Sequence, residues 1–444
     1  MQISVAWRLT GRVFFPFAAG YYLSYLFRTI NALIASRLSS DTGLGTADLG
    51  LLTSVYFLVL AAVQIPVGIL LDRFGPRRVQ SALLLLAAMG AGLFAVSTGF
   101  RSFLIARAMI GLGVAAALTA GLKSIVLWFP KERSALLNGY MVMLGSLGAV
   151  TATAPAEHLL TLMGWRQLFE VLAAASGATA MLIYVVVPER AVVPSTPSMS
   201  ANLSAVFSDK RFWRIAPLSA ACVGSAWSLQ GLWASPWLMD VEGLDRASLV
   251  GQLFIMSIVL SGGAWLFGTI VHYIKRRGLG AETILAAVAI LFITAELTLV
   301  LRVPLPSILP WSVLAIVGTA TVVSFAVIAD YYPPELAGRA NGALNVLHFG
   351  WAFLAQYATG LVLEQWSIND GHRTVQAYQV AFGLNVALQI AALAWFALPW
   401  RRSFVSWMRS IPFFMPAIVS TAVDSAGLYE NSVILLPADD DAEW

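Results

Sequence analysis

The sequence predicts an all-α membrane protein with about twelve transmembrane helices, arranged as two six-helix bundles related by a pseudo-two-fold axis. Three observations predict it: a charge-poor composition, apolar runs of spanning length, and a pair of motifs that recurs about 200 residues later. Of the 444 residues, 59% are hydrophobic and 11% charged, against roughly a quarter charged in soluble domains. The apolar residues come in runs of about 20, the length that carries a helix across a hydrocarbon core of about 30 Å. No long run alternates apolar with polar residues, which disfavours a β-barrel.

Taken in order between charged or Pro/Gly punctuation, the spans fall at 14–36, 48–71, 79–99, 102–127, 135–159, 167–188, 214–238, 248–272, 280–301, 305–329, 340–364 and 376–399. The longest polar stretch between spans, 188–212, is rich in Ser, Pro and charge and sits mid-chain. It divides an N-terminal bundle, 1–187, from a C-terminal bundle, 213–400. A tail, 401–444, holds a short apolar patch (PFFMPAIV) and an acidic end. It reads as a cytoplasmic extension with an interfacial segment, too short for a thirteenth span.

The formal charge of +4 reflects basic residues in short loops between spans. It therefore reports topology, not a nucleic-acid partner. With the N-terminus placed in the cytoplasm, that side collects most of the Lys and Arg, including Arg73, Arg77, Arg78, Lys131, Arg133, Lys210, Arg211, Lys275 and Arg276. The other side holds only Arg37, Arg101, Arg166, Arg246, Arg302 and Arg373. Both termini and the linker are thus expected in the cytoplasm. The first apolar stretch lacks a small-residue cleavage site and reads as a retained span. Cys222 is the only cysteine, and the four histidines, His158, His272, His348 and His372, lie far apart. No disulfide framework, metal site or cofactor is expected. No Gly-x4-Gly-Lys-Ser/Thr loop is present, so direct use of ATP is not expected, and no compact catalytic cluster suggests an enzyme.

The internal repeat supports two halves more strongly than hydropathy does. Trp128-Phe129-Pro130-Lys131-Glu132, followed after five residues by Asn138-Gly139, matches Tyr331-Tyr332-Pro333-Pro334-Glu335, followed after five by Asn341-Gly342; residue 333 lies 203 after residue 130. Gly68-Ile69-Leu70-Leu71-Asp72-Arg73 has its counterpart in Gly268-Thr269-Ile270-Val271-His272-Tyr273, 200 residues on. Two matches at nearly one spacing argue for duplication of a six-helix unit, against the simpler explanation that Pro-Glu and Asn-Gly are common at helix junctions.

The loop after span 2 reads Gly68-I-L-L-Asp72-Arg73-F-Gly75-P-Arg77-Arg78. It resembles the signature loop of the major facilitator superfamily. The resemblance implies a secondary transporter that works by alternating access, usually as a monomer. In it the glycine turn would present Asp72 and the arginines as a latch against the other half; the plainer reading makes the arginines topological anchors. His272 stands where the second-half aspartate would be, so that latch is expected to be weaker. Span 4 carries Arg107-A-M-I-Gly111-L-Gly113, which also resembles a superfamily signature. An intramembrane arginine is costly unless paired or hydrated. In relatives this position is tied to proton coupling, while the alternative is a structural arginine bonded to a carbonyl. The glycines are expected to permit close packing. Span 5 has Gly139, Gly145, Gly148 and Pro155 but lacks the Gly-Pro pair of the family's drug/proton exporters, which favours uptake.

Span 1 is the most informative for substrate. Tyr21, Tyr25, Arg28 and Asn31 share one helical face. Arg28 lies near the midplane, where its forked donors suit a carboxylate or phosphate. The arrangement resembles the aromatic-arginine face of the organic-anion and organophosphate branches. The alternative is an Arg28 held by an internal acid. Span 7, the pseudo-equivalent, offers Trp227 and Gln230, with Gly224 leaving room for a ligand or helix; Trp237 is read as an interfacial anchor. Span 11 adds Asn345, His348 and Gln356, with a neutral core histidine as the competing reading of His348.

A proton-coupling group must be titratable and change its exposure. Candidates besides Arg107 are Glu157, His158, Glu170, Glu296 and Asp330, of which Glu296 could simply face solvent through a tilted helix. Lys123 is read as snorkelling, or as adding positive potential to a cavity. The sequence thus leads to proton-coupled uptake of a small organic anion across a bacterial inner membrane. Two alternatives stand beside it: a carrier of drug-like or siderophore-like amphipathic compounds, and a non-transporting sensor on the same fold.

Overall fold

The computed structural model describes residues 10–189, 199–276, 281–319, 321–332, 334–369 and 372–398. Each of the twelve predicted stretches is helical there, though several are broken or fused. Span 1 is Phe15–Thr42, preceded by a π-helical turn at Thr10–Phe14. Spans 2 and 3 run together through Thr46–Val96, turning at Gly75, whose φ of 80° lies where a side chain is strained. Span 4 comprises Phe100–Val114 and Ala117–Trp128. Span 5 is Lys131–Thr151 and the first residues of Ala154–Val186, which turns at Gly164 (φ 74°) into span 6.

A helix at Met199–Ser208 occupies part of the expected linker. Span 7 starts at Lys210, where the Asp209 carboxylate accepts a 2.8 Å bond from the Arg211 backbone N–H, and is interrupted by a π-helical turn at Leu229–Trp233 before Ala234–Asp240. Spans 8 and 9 are Arg246–Arg276 and Ala281–Val300. Span 10 is split into Ile308–Val317 and Thr321–Tyr331. Span 11 is Pro334–Glu364, a two-stranded ribbon pairs Ile368–Asn369 with His372–Arg373, and span 12 is Val375–Ala397. The tail with its apolar patch lies outside the described residues.

Among the described residues seven helices are long and apolar enough to cross a membrane outright, while spans 7 and 10 are assembled from shorter pieces. Large apolar side chains such as Leu85, Met89, Ile105, Met181, Ile290 and Leu388 point outward. A soluble core would hide them, whereas lipid accepts them. Small residues let the helices close up. A Cβ on Gly148 would meet the Tyr22 carbonyl oxygen of span 1 at 2.1 Å, and one on Gly113 would meet the Ala87 nitrogen of span 3 at 2.3 Å. The span 4 glycines therefore do what was expected of them. Gly224 makes room for a helix and not a ligand, since its Cβ would meet the His348 carbonyl oxygen of span 11 at 2.8 Å.

Candidate functional site

A cavity lies between spans 1, 5, 7 and 8. Span 1 contributes Tyr25, Arg28, Thr29, Ala32 and Leu33, and span 7 contributes Trp227, Gln230 and Gly231. Spans 5 and 8 supply Thr153, Ser257 and an apolar wall that includes Met256.

Arg28 is the cation of this cavity. Its guanidinium carbon sits 4.0 Å from the Tyr25 ring centroid and 5.1 Å from that of Trp227, so two aromatic faces hold it by cation–π attraction. It is half-buried and forms no ion pair among the described residues. The alternative of an internal acid finds no support there. Trp227 is itself anchored: its Nε1 donates to the Gly318 carbonyl at 2.9 Å, and its ring lies 4.9 Å from that of Phe349. Gln230 donates from Nε2 to the Leu314 carbonyl at 3.0 Å, which fixes which end of its amide remains for a ligand. The π-helical turn starts just before Gln230, and such turns are frequent at functional sites.

The other predicted binding residues lie behind this surface. Tyr21 is buried against Tyr25, ring centroids 5.1 Å apart, with Gly145 directly against it. Asn31 is buried and off the cavity lining. His348 is fully buried, its Nε2 bonded to Ser219 Oγ at 2.7 Å and its Nδ1 3.4 Å from Asn345 Oδ1. This is the core histidine of the competing reading, and Asn345 goes with it. Gln356 is buried and off the lining; its carbonyl accepts the Trp233 indole N–H at 3.1 Å. Trp237, expected at the interface, is instead packed inside against Trp311. Thr29, Thr153 and Ser257 were not singled out from sequence, because a lone hydroxyl in an apolar run carries no distinguishing pattern.

The face opposite the Gly75 turn is tied shut across the two halves. Glu157 receives Arg246 of span 8 at 3.0 and 2.6 Å and Arg37 of span 1 at 2.6 Å. Arg246 also donates to the carbonyl of Leu33, a cavity residue, so this ion cluster caps the cavity. Nearby, the Glu364 carboxylate accepts the Ala47 backbone N–H at 3.0 Å, and Arg373 donates to Thr46 Oγ1 at 2.9 Å.

Comparison with known proteins agrees with this architecture. The family model described as Major Facilitator Superfamily matches residues 17–356. This chain belongs to the major facilitator superfamily. It is 28% identical to a probable sulfoacetate transporter of Cupriavidus necator over 35% of this chain and 36% of that one. It is 23% identical to a hexuronate transporter of Escherichia coli K12 over 51% of this chain and 56% of that one. The matches thus span about a third to just over half of these relatives' lengths. A solved bacterial homolog of the human lysosomal transporter Spinster, inward-facing and unoccupied, superposes with a TM-score of 0.71 at 18% identity, covering 86% of this chain and 95% of that one. The family is one of membrane transporters and not of enzymes, and it makes this a multi-pass membrane protein.

Within that family the signature loop behaves differently from the expectation of a latch onto the other half. Asp72 pairs with Lys123 of span 4 at 2.5 Å, while Arg77 and Arg78 pair with Glu189 at the end of span 6, and Arg77 Nε donates to the Tyr184 carbonyl at 2.9 Å. All these partners belong to the first half. Lys123 therefore reaches out to the loop, as the snorkelling reading expects, and does not line the cavity. Arg73 lies over the Phe74 ring, and Gly68 has open space about it. A loop bonded within its own half is what a transporter closed on the opposite face requires, because a cross-half latch here would shut both faces.

Arg107 is 1% exposed, donates to the Phe27 carbonyl at 3.3 Å and lies 5.0 Å from the Tyr56 ring centroid. This is the structural arginine of the alternative reading. Of the acidic candidates, Glu157 is paired with Arg246 and Arg37, and Glu170 and His158 are exposed. Glu296 does not face solvent; it is fully buried. The side chains of Asp330 and His272 lie outside the described residues. Among the described residues no three His, Cys, Asp or Glu side chains come together in a way that could hold a metal.

Proposed function

We propose that this chain is a secondary active transporter that takes up a small organic anion together with protons across a bacterial inner membrane, with Arg28 as the substrate clamp. The observation that carries the reading is the guanidinium of Arg28, unpaired among the described residues and directed by two aromatic faces into a capped cavity between halves. A half-buried cation without a counter-ion is a place that an anion can occupy with gain. A carboxylate or sulfonate arriving in the cavity supplies that counter-ion through two parallel charge-assisted hydrogen bonds. Thr29, Thr153, Gln230 and Ser257 offer neutral partners for the rest of the molecule. A single cation neutralises one negative charge, which is all that a hexuronate carries and half of what sulfoacetate carries.

The bundles 1–187 and 213–400, joined by 188–212, would rock about this site, binding Arg28's ligand from alternate faces. The distribution of Lys and Arg supports a cytoplasmic position for the Gly75 turn, both termini and the tail; on that reading the present state is inward-facing, with Glu157 and Arg246 closing the outer side. The working unit is a monomer in the bilayer. The test is uptake of radiolabelled sulfoacetate and D-galacturonate into proteoliposomes at several pH gradients. Saturable uptake, faster with an inward proton gradient and abolished in Arg28→Ala, is expected. Uptake of neither anion alongside saturable uptake of a lipophilic quinolone would replace this reading with the amphipathic-carrier one.

A further inference from the structure

We infer that Glu296 is the proton-carrying site of the second half, held by the amides of Asn385 and Gln389 and linked through Ser225 to the helix that presents Trp227 to the cavity. The inference rests on the transporter reading above and adds a residue to it. Glu296 of span 9 has no exposed surface. Two span 12 amides reach it: Asn385 Nδ2 donates to Oε1 and Gln389 Nε2 to Oε2, each at 2.7 Å. No charged group among the described residues acts on it, and the titratable side chain facing it is the Cys222 thiol of span 7.

A carboxyl enclosed by helices without a cation contributes nothing to packing that a leucine would not, so its presence points to function. The amide partners suit both protonation states. Gln389 Oε1 is buried with no partner, while its nitrogen bonds Glu296. A half-turn of that amide exchanges the two ends, so that the carbonyl accepts the O–H of the acid where the N–H₂ had donated to the carboxylate. Proton arrival at Oε2 therefore forms one O–H bond and reverses one hydrogen bond; departure undoes both.

The hydrogen-bond chain reaches the helix that carries Trp227. Asn385 Oδ1 accepts from Ser225 Oγ at 2.9 Å, and Ser225 Oγ accepts from Trp351 Nε1 of span 11 at 3.0 Å. Ser225 stands two residues before Trp227, which flanks Arg28. The chain joins spans 9, 12, 7 and 11, so a shift of span 7 on anion binding changes the bonding of Asn385 and with it the hold on the proton.

The experiment is infrared difference spectroscopy of the full-length protein in liposomes between acidic and alkaline buffer, with no substrate added. A protonated-carboxyl C=O band is expected in the parent and in Arg28→Ala, lost in Glu296→Gln and moved in Gln389→Ala. A band unchanged in Glu296→Gln overturns the inference. Should that variant fail to fold, a band unmoved in Gln389→Ala overturns it equally. With D-galacturonate as the probe, Glu296→Gln is expected to keep counterflow exchange while losing accumulation driven by the proton gradient; accumulation equal to the parent's refutes the role. If the parent moves no D-galacturonate, the substrate reading fails on that compound while the spectra still decide on Glu296.

Discussion

Replacing Glu157 by Gln should open the outer face of the cavity. In the parent, Arg246 meets both carboxylate oxygens and Arg37 meets one, with side chains 29%, 32% and 15% exposed for Arg246, Arg37 and Glu157. That exposure puts the cluster between surface pairs, worth about 0–1 kcal/mol, and buried ones, where removing a partner costs about 3–5 kcal/mol. A loss of about 1–2 kcal/mol follows, partly because the substitution leaves two arginines facing each other. If the cluster exists only in the state closed on this side, its loss shifts the balance of states by roughly 5- to 30-fold. The assay is alkylation of one engineered thiol, Thr29→Cys in a Cys222→Ala background, by an impermeant maleimide applied to the face opposite the Gly75 turn. Labelling should accelerate by that factor in Glu157→Gln, and at least as much in Arg246→Ala, which removes every bond the cluster makes between the halves, Arg37 and Glu157 both lying in the first. Equal labelling rates in all three proteins would refute the gate.

Other outcomes follow from individual contacts. Gly148→Val should abolish the folded, monodisperse protein in size-exclusion chromatography, because a Cβ there would collide with the Tyr22 carbonyl, whereas Gly139→Ala, with open space around it, should behave as the parent. Gly75→Ala should lower thermal stability by about 1 kcal/mol through the strain of a positive φ, read by thermal unfolding in detergent. Asp209 caps span 7: burial pushes its carboxyl up, but hydrogen bonds from Arg211 outweigh this and hold it below the ordinary carboxylate value. Its stabilisation is complete above the ordinary carboxylate range and is lost as pH falls through the lowered value. Asp209→Ala should therefore cost about 1 kcal/mol at neutral pH and progressively less in acid.

Much of the fold was legible because a bilayer imposes one rule, spanning helices of about 20 apolar residues, and each of the twelve stretches is helical, though not each as one unbroken spanning helix. The breaks were less so. The π-helical turn at Leu229–Trp233 and the split of span 10 leave no mark in hydropathy. Arg28 stood out because midplane cations are rare, and the 200-residue repeat placed Trp227 and Gln230 opposite it. The four-residue polar face of span 1 was too generous: helical spacing puts Tyr21 and Asn31 on one side of the helix, but Tyr25 and Gly145 cover the first and neighbouring helices bury the second. Glu157 was visible as a charge but not as a gate, since its partner Arg246 lies 89 residues away. Glu296 was ambiguous for a similar reason, because only the placement of span 12 shows which way its carboxyl points. Trp237 was misassigned by the usual preference of tryptophan for interfaces, which packing against Trp311 overrides.

The central claim, that Arg28 binds an anionic substrate, is tested most directly by thermal unfolding of purified parent and Arg28→Ala across sulfoacetate, D-galacturonate, phosphate and lipophilic cations. At a ligand concentration one hundred times the dissociation constant, stabilisation is about 2.7 kcal/mol. For a chain of 444 residues with an unfolding entropy of about 2.1 cal/mol/K per residue, that is a shift on the order of 3 °C. Such a shift is expected for one anion in the parent and none in Arg28→Ala. Stabilisation of both proteins alike by the same compound, or of the parent by lipophilic cations alone, would contradict it.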